Sequence, residues 1–302
     1  MKAVSSNPLA LSGREPSMND ATAAAALAEP GPKPGPTPEP GPGGPRSAGE
    51  SRLGPLHINY TQTRVMPDAL ERLQRVPGVL RADRSELAET FKMLRNQVLQ
   101  RMRGAGHSVL AVSSPRQIVG KSLTAVNLAL TMAAELDSSV LLVDADLSGQ
   151  GLQKLFCIEG LPGLSEHLTQ GAPIPQLLIN PGVQRLVLLP AGAGSNPQSA
   201  ELLGTRATQH LVQELKTLYR DRTVIVDLPP LLDTADALAF LPLADTLLLV
   251  VEEHGTTLAD MEAANELLAP YNLIGAVVSK PAPKLRRSRL QWGRWLGRGR
   301  AA

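Results

Sequence analysis

The residues of this chain best equipped for chemistry are Gly120-Lys121-Ser122, Asp144, Asp146 and Asp227. Gly-Lys-Ser closes loops that cradle phosphate. Backbone N–H groups of the loop and of the first helical turn point at an anion, and the positive helix N-terminus adds to the attraction. In such a loop Lys121 reaches the β/γ-phosphates and the Ser122 hydroxyl sits on Mg²⁺. The loop is poor in glycine: Pro115 stands where the common pattern has its first Gly, and Gln117-Ile118 stand where a related type has Pro-Gly. Three matching residues alone would equally fit an ordinary helix start. The aspartates decide against that. Asp144-Ala145-Asp146 and Asp227-Leu228-Pro229-Pro230 each follow a short apolar run. Carboxylates just past the C-terminal end of a strand lie where open parallel sheets bind ligands. Asp227 is placed to hold Mg²⁺ directly or through water.

The elements that must position these groups are short β-branched runs and longer helical patterns. Strands are expected at 108–112, 138–143, 186–189, 223–226, 246–251 and 274–278. Helices are expected after the loop, with Leu123, Val126, Leu128 and Leu130 as its apolar positions, and at 205–218 and 258–268. Alternating strands and helices imply an α/β fold, a mostly parallel sheet with helices on both faces. Residues 84–103 read as an amphipathic helix with Leu87, Phe91, Leu94, Val98 and Met102 on its apolar face. Asp83 and Glu86 resemble its capping box. Glu89, Lys92 and Arg95 form a charge series at helical spacing on its flank. Should position 118 require positive φ, Ile118 is a poor occupant, because left-handed backbone costs an L-residue about 1–2 kcal/mol.

Composition bounds the rest. Of residues 30–45, thirteen are Pro or Gly without a collagen-like period. Such a stretch buries too little apolar surface to offset its ordering entropy, so residues 1–62 are expected to be disordered. Residues 63–283 suffice for one nucleotide-binding domain. The tail 284–302 has seven Lys/Arg and no acid; subtracting these from the net charge of +2 leaves −5 on residues 1–283. The chain is therefore not a basic nucleic-acid binder. On a helical wheel the tail groups Leu285, Trp292 and Leu296, which suits peripheral contact with an anionic membrane surface. No apolar run is long enough to span a bilayer, and no secretory signal opens the chain. The single cysteine, Cys157, fits a reducing compartment and, among Leu155, Phe156 and Ile158, is expected to be buried. The five histidines lack ligand spacing, and no histidine metal site is expected.

In order along the chain stand Glu89-x-x-Lys92-x-x-Arg95, Ser113-Ser114, Gly120-Lys121-Ser122 and Leu-Leu-Val-Asp-Ala-Asp-Leu (141–147). Leu161-Pro-Gly-Leu-Ser165, Leu189-Pro-Ala-Gly192, Glu201-Leu-Leu203 and Asp227-Leu-Pro-Pro230 follow. As an ordered set over about 190 residues they resemble the CpsD/CapB-type bacterial tyrosine kinase family of capsule and exopolysaccharide biosynthesis, within the ParA/MinD-related P-loop ATPases. The resemblance implies a cytoplasmic ATP- and Mg²⁺-binding protein with a P-loop NTPase sheet. It implies Lys121, Asp144, Asp146 and Asp227 as catalytic residues, and Gly120, Lys121, Ser122 and Leu123 around the nucleotide. It also implies Ser122, Asp144 and Asp227 at the metal, self-association through the 84–103 helix, and a membrane polysaccharide copolymerase as partner. Arg116 falls where the ParA/MinD group carries a signature lysine, and joins the nucleotide set on that ground.

Several positions depart from the family pattern. Ile118 replaces a small residue, Ser148-Gly149 stand where an Arg usually follows the Asp-x-Asp pair, and the tail lacks a tyrosine cluster, the tyrosines being Tyr60, Tyr219 and Tyr271. These departures point to weakened or lost kinase activity. The sequence leaves two alternatives open: a ParA/MinD-like positioning ATPase, or a catalytically inactive nucleotide-binding scaffold.

Overall fold

The computed structural model describes residues 63–81, 85–118, 120–135, 139–218 and 222–280. The expected N-terminal region 1–62, the basic tail 284–302 and the proposed cap Asp83 lie outside these. The elements run β1 (Arg64–Val65), α1 (Asp68–Gln74), α2 (Glu86–Ala105), β2 (Val109–Ser113), α3 (Gly120–Ala133), β3 (Ser139–Asp144) and α4 (Gly151–Phe156). There follow α5 (Leu164–Gln170), α6 (Ile174–Leu177), β4 (Ile179–Asn180), β5 (Leu186–Leu189), α7 (Ser199–Leu203), α8 (Arg206–Leu218) and β6 (Arg222–Asp227). The last are α9 (Asp236–Phe240), β7 (Thr246–Glu252), α10 (Leu258–Leu268) and β8 (Leu273–Ser279).

Among the described residues, eight strands form one sheet in the order β1-β4-β5-β3-β6-β2-β7-β8. Every pairing is parallel except β4 with β5. The central strands are apolar on both faces because helices cover both. Val109 and Ala111 of β2 point into one core with α8 and α9, while Leu110 and Val112 point into the other with α2 and α3. The helix following the loop, α3, is buried on most of its circumference, from Lys121 to Ala133. The expected strands and helices are all present, with ends shifted by a residue or so.

The start of β2 is fastened by Asp245. Its Oδ2 accepts from the Ser108 and Val109 amides, both at 2.8 Å, and its Oδ1 lies 2.6 Å from Lys216 Nζ. Burial would raise this carboxyl, but the Lys216 ammonium and the two amides outweigh it and hold it below the usual carboxylate range.

Three local expectations are corrected. The cap of α2 is Ser85, whose hydroxyl accepts from the Ala88 amide, so the helix starts at Glu86. Leu87 is exposed rather than buried, and Leu99 takes a place on the apolar face beside Phe91, Val98 and Met102. Cys157 is exposed: it ends α4 in the left-handed conformation (φ 52), which turns Phe156 and Ile158 inward and the thiol out. Apolar neighbours in sequence do not bury a residue where the chain reverses.

Candidate functional site

The parallel order brings the C-terminal ends of β2, β3 and β6 together. Asp144 and Asp227 end adjacent strands in direct register, and Ser113 ends the strand on the other side of β6. A parallel sheet built this way collects its polar strand ends on one edge. At that edge α3 begins with Gly120, so the Lys121, Ser122 and Leu123 amides fall in its first turn, where a helix has no carbonyl to satisfy them.

Lys121 is 1% exposed and places Nζ 2.6 Å from Asp227 Oδ1 and 3.3 Å from Ser122 Oγ. Asp227 is completely buried, and its other oxygen, Oδ2, has no hydrogen-bond partner among the described residues. Burial raises the Asp227 carboxyl, and Lys121 and the Ser122 hydroxyl beside it pull in the opposite direction. Asp144 is also fully buried. Its Oδ2 accepts from the Leu152 and Gln153 amides at 3.0 and 3.3 Å, and its Oδ1 from the Asp146 amide at 3.2 Å. Burial pushes the Asp144 carboxyl well above its ordinary value, and the neighbouring Asp227 and Asp146 charges push it further. Asp146 Oδ1 accepts from the Gly149 amide at 2.7 Å and from the Ser148 hydroxyl.

Magnesium fits this set on two counts. A buried carboxylate oxygen without a donor is costly unless a cation or donor meets it, and Asp227 Oδ2 is such an atom. Ser122 Oγ and Asp227 Oδ2 both border the space beside Gly151, a hydroxyl and a carboxylate of the kind Mg²⁺ takes alongside phosphate oxygens and water. The space is kept open by Gly151, where a Cβ would stand 2.7 Å from Ser122 Oγ and 3.7 Å from Asp227 Oδ2. Asp144 differs from the expectation of a free metal ligand in that both its oxygens already accept backbone amides.

Of the expected nucleotide residues, Gly120, Lys121, Ser122 and Leu123 lie together at the start of α3. Arg116 lies apart from them: its guanidinium bonds Asp233 and Asp260, both at 2.9 Å. Ile118 is not among the described residues with positive φ, which are Gln150, Cys157, Arg185 and His254 outside glycine. Its side chain is buried in the core beside α3. The expectation of a strained β-branched residue at 118 is therefore overturned: the chain uses an ordinary conformation there and turns the isoleucine inward.

Sequence reasoning missed the groups that brace the site. Ser113 Oγ donates to the Pro229 carbonyl at 2.7 Å. Gln153, 0% exposed, exchanges hydrogen bonds with Gly192 N and O, and Glu166 accepts from the Gly163 and Ala193 amides. Gly163 is required because a Cβ there would overlap the Pro190 carbonyl. The Pro-Gly-Leu-Ser and Pro-Ala-Gly stretches were visible signals, but nothing in either says that it packs against the other.

The chain is similar to known proteins. The ParA family model, described as NUBPL iron-transfer P-loop NTPase, matches residues 106–251. The succinoglycan biosynthesis transport protein ExoP of Rhizobium meliloti is 36% identical over 184 residues, 60% of this chain and 23% of ExoP. This chain thus spans about a quarter of that relative's length. The tyrosine-protein kinase YwqD of Bacillus subtilis is 33% identical over 162 residues, 53% of this chain and 67% of YwqD. Among solved structures, the chimerical protein CapA2B2 superposes with a TM-score of 0.61 at 24% identity, covering 73% of this chain and 94% of that one, a likeness of fold.

Proposed function

The chain belongs to the CpsD/CapB-type bacterial tyrosine kinase family, and from that premise we propose that it binds Mg-ATP where α3 meets β6 and serves exopolysaccharide or capsule polymerisation and export. The observation that carries this reading is the buried Asp227 oxygen without a partner, beside Lys121 and the first turn of α3. In this role the Lys121–Leu123 amides and the Lys121 ammonium bind the β/γ-phosphates. Ser122 and Asp227 hold the metal, which when bound neutralises charge on the transferring phosphoryl group. Asp144 holds the 146–153 turn in place behind Asp227, both its oxygens being spent on backbone amides. Asp146, anchored on Gly149, faces the attacking hydroxyl or water. Lys121 then exchanges its contact with Asp227 for one with phosphate, so the site holds its countercharge before and after binding.

The membrane partner is a polysaccharide copolymerase, in keeping with the succinoglycan transport protein among the relatives. Among the described residues no helix is long and apolar enough to cross a membrane. The test is calorimetric titration of the purified chain with Mg-ATP, followed by assay of phosphotyrosine and released phosphate. Binding is expected, with little phosphotyrosine, because 284–302 offers no tyrosine. A chain that binds no Mg-ATP sinks the reading, and strong phosphotyrosine lost in Lys121→Met sinks the weakened-kinase part of it.

Self-association through α2 needs adjustment. Glu89 and Lys92 form an exposed pair at 2.7 Å, but Arg95 is turned onto α3, bonding the Thr131 carbonyl at 3.1 Å and Glu135 at 3.3 Å. Only the first two of the three charges face outward. Alanine at Glu89 and Lys92 together should lower the mass seen by light scattering while leaving the unfolding midpoint unchanged. An unchanged mass would remove α2 from the interface.

A further inference from the structure

The first half of the phosphate loop is held by an arrangement that the nucleotide reading does not use. Arg116 sends Nε to Asp260 Oδ1 and Nη1 to Asp233 Oδ1, each at 2.9 Å. Asp233 uses its second oxygen to accept the Gln117 amide at 2.8 Å. Asp260 uses its second oxygen to accept the Thr257 amide and hydroxyl, completing the capping box of α10. Alongside, the Leu231 and Leu232 amides donate to the Ser114 and Pro115 carbonyls, and the Ser114 hydroxyl donates to the Arg116 carbonyl at 2.7 Å. Each carboxylate is thus fixed on two sides and meets one guanidinium between them.

We propose that Arg116 is a positioning residue: it clamps residues 113–117 to the 229–233 segment and to the start of α10, and shapes a phosphate loop that has no glycine before Gly120. The inference rests on the nucleotide-binding reading above. A glycine-rich loop reaches its shape through backbone freedom and offers its amides to the anion. Here the Gln117 amide is already given to Asp233, and the loop carries Pro115, Gln117 and Ile118 instead. Shape has to come from outside the loop, and a guanidinium with two planar donor edges can bind two carboxylates at once. An isolated exposed pair would contribute little, but a shared cation between two anchored carboxylates is a network. The Thr257 hydroxyl and then Arg116 hold the Asp260 carboxyl at about 2, so that partner stays ionised across the ordinary working range.

The alternative is that Arg116 leaves both carboxylates to meet a phosphate. The two differ in sign. A clamp predicts that Arg116→Ala and Asp260→Asn each weaken Mg-ATP binding by about three- to tenfold, and that the double variant is no worse than the worse single one. Asn retains an acceptor for the α10 cap. A phosphate ligand predicts that Asp260→Asn frees the guanidinium and tightens binding, which would overturn the proposal. Hydrogen exchange at the Gln117 amide without nucleotide gives an independent readout. The clamp predicts faster exchange in Arg116→Ala and Asp260→Asn, and unchanged exchange in both rejects it. Should the parent chain bind no Mg-ATP, the nucleotide reading fails while the exchange measurement still decides on the clamp.

Discussion

Lys121→Ala should leave no detectable Mg-ATP binding and should lower the stability of the nucleotide-free chain by about 3–5 kcal/mol. The first effect follows from removing the one ammonium at the triphosphate end of the site. The second follows from what stays behind. Lys121 Nζ and Asp227 Oδ1 are 2.6 Å apart with side chains 2% and 0% exposed, so removing the lysine strands a carboxylate where water cannot reach it. Asp144 stands in register beside it, and the like charge of Asp146 adds to the load. Breaking one side of a buried pair costs more than replacing both by apolar groups, because the survivor keeps its desolvation penalty. Urea unfolding of the parent, Lys121→Ala and Lys121→Met separates charge from volume, since methionine nearly fills the lysine's space. Lys121→Met should lose less than Lys121→Ala, the shared loss reporting the stranded carboxylate and the difference the void. A Lys121→Ala chain as stable as the parent would show that Asp227 finds another partner, and would remove the argument for a cation at its free oxygen.

Ile118→Gly should lower stability by about 3 kcal/mol and leave Mg-ATP affinity no tighter than in the parent. On the sequence alone the opposite was reasonable, since glycine would relieve a strained loop. The structure shows no strain to relieve: φ at 118 is not positive, and the side chain is buried in the same core cluster as Val112 and Ala125. Deleting a buried branched side chain costs its transfer energy and leaves a void, about 2–5 kcal/mol for isoleucine to alanine. Glycine adds further freedom to the unfolded chain. Chemical unfolding and calorimetry on the same preparation check both halves. A tenfold gain in affinity would mean that the loop is held open by the isoleucine rather than shaped around it.

The difference between these two positions shows which features were legible. Strands such as Val109–Ser113 and Ser139–Asp144 announce themselves because helices cover both faces of the sheet, so nearly every residue must be apolar. The aspartates that end Ser139–Asp144 and Arg222–Asp227 were readable for the same reason, a charge after a run that tolerates none. Arg116 and Asp233 were not: their contact spans 117 positions and has no period. Cys157 and Ile118 were misread because each was judged by its neighbours in sequence, while the backbone direction at that residue decided the matter. Arg95 was misread because helical spacing locates a residue on a helix but does not say which other helix lies beside it.

The place of β2 in the sheet has a consequence for how the chain is made. Its two neighbours, β6 and β7, arrive more than a hundred residues later in synthesis. Until those strands have been made, this largely apolar strand has both hydrogen-bonding edges unpaired, the condition under which nascent chains stick to one another. Chaperone demand should therefore peak in that interval, and fall once Thr246–Glu252 has emerged and closed the second edge. Fragments ending before that strand should collect in inclusion bodies even though they contain the complete phosphate loop.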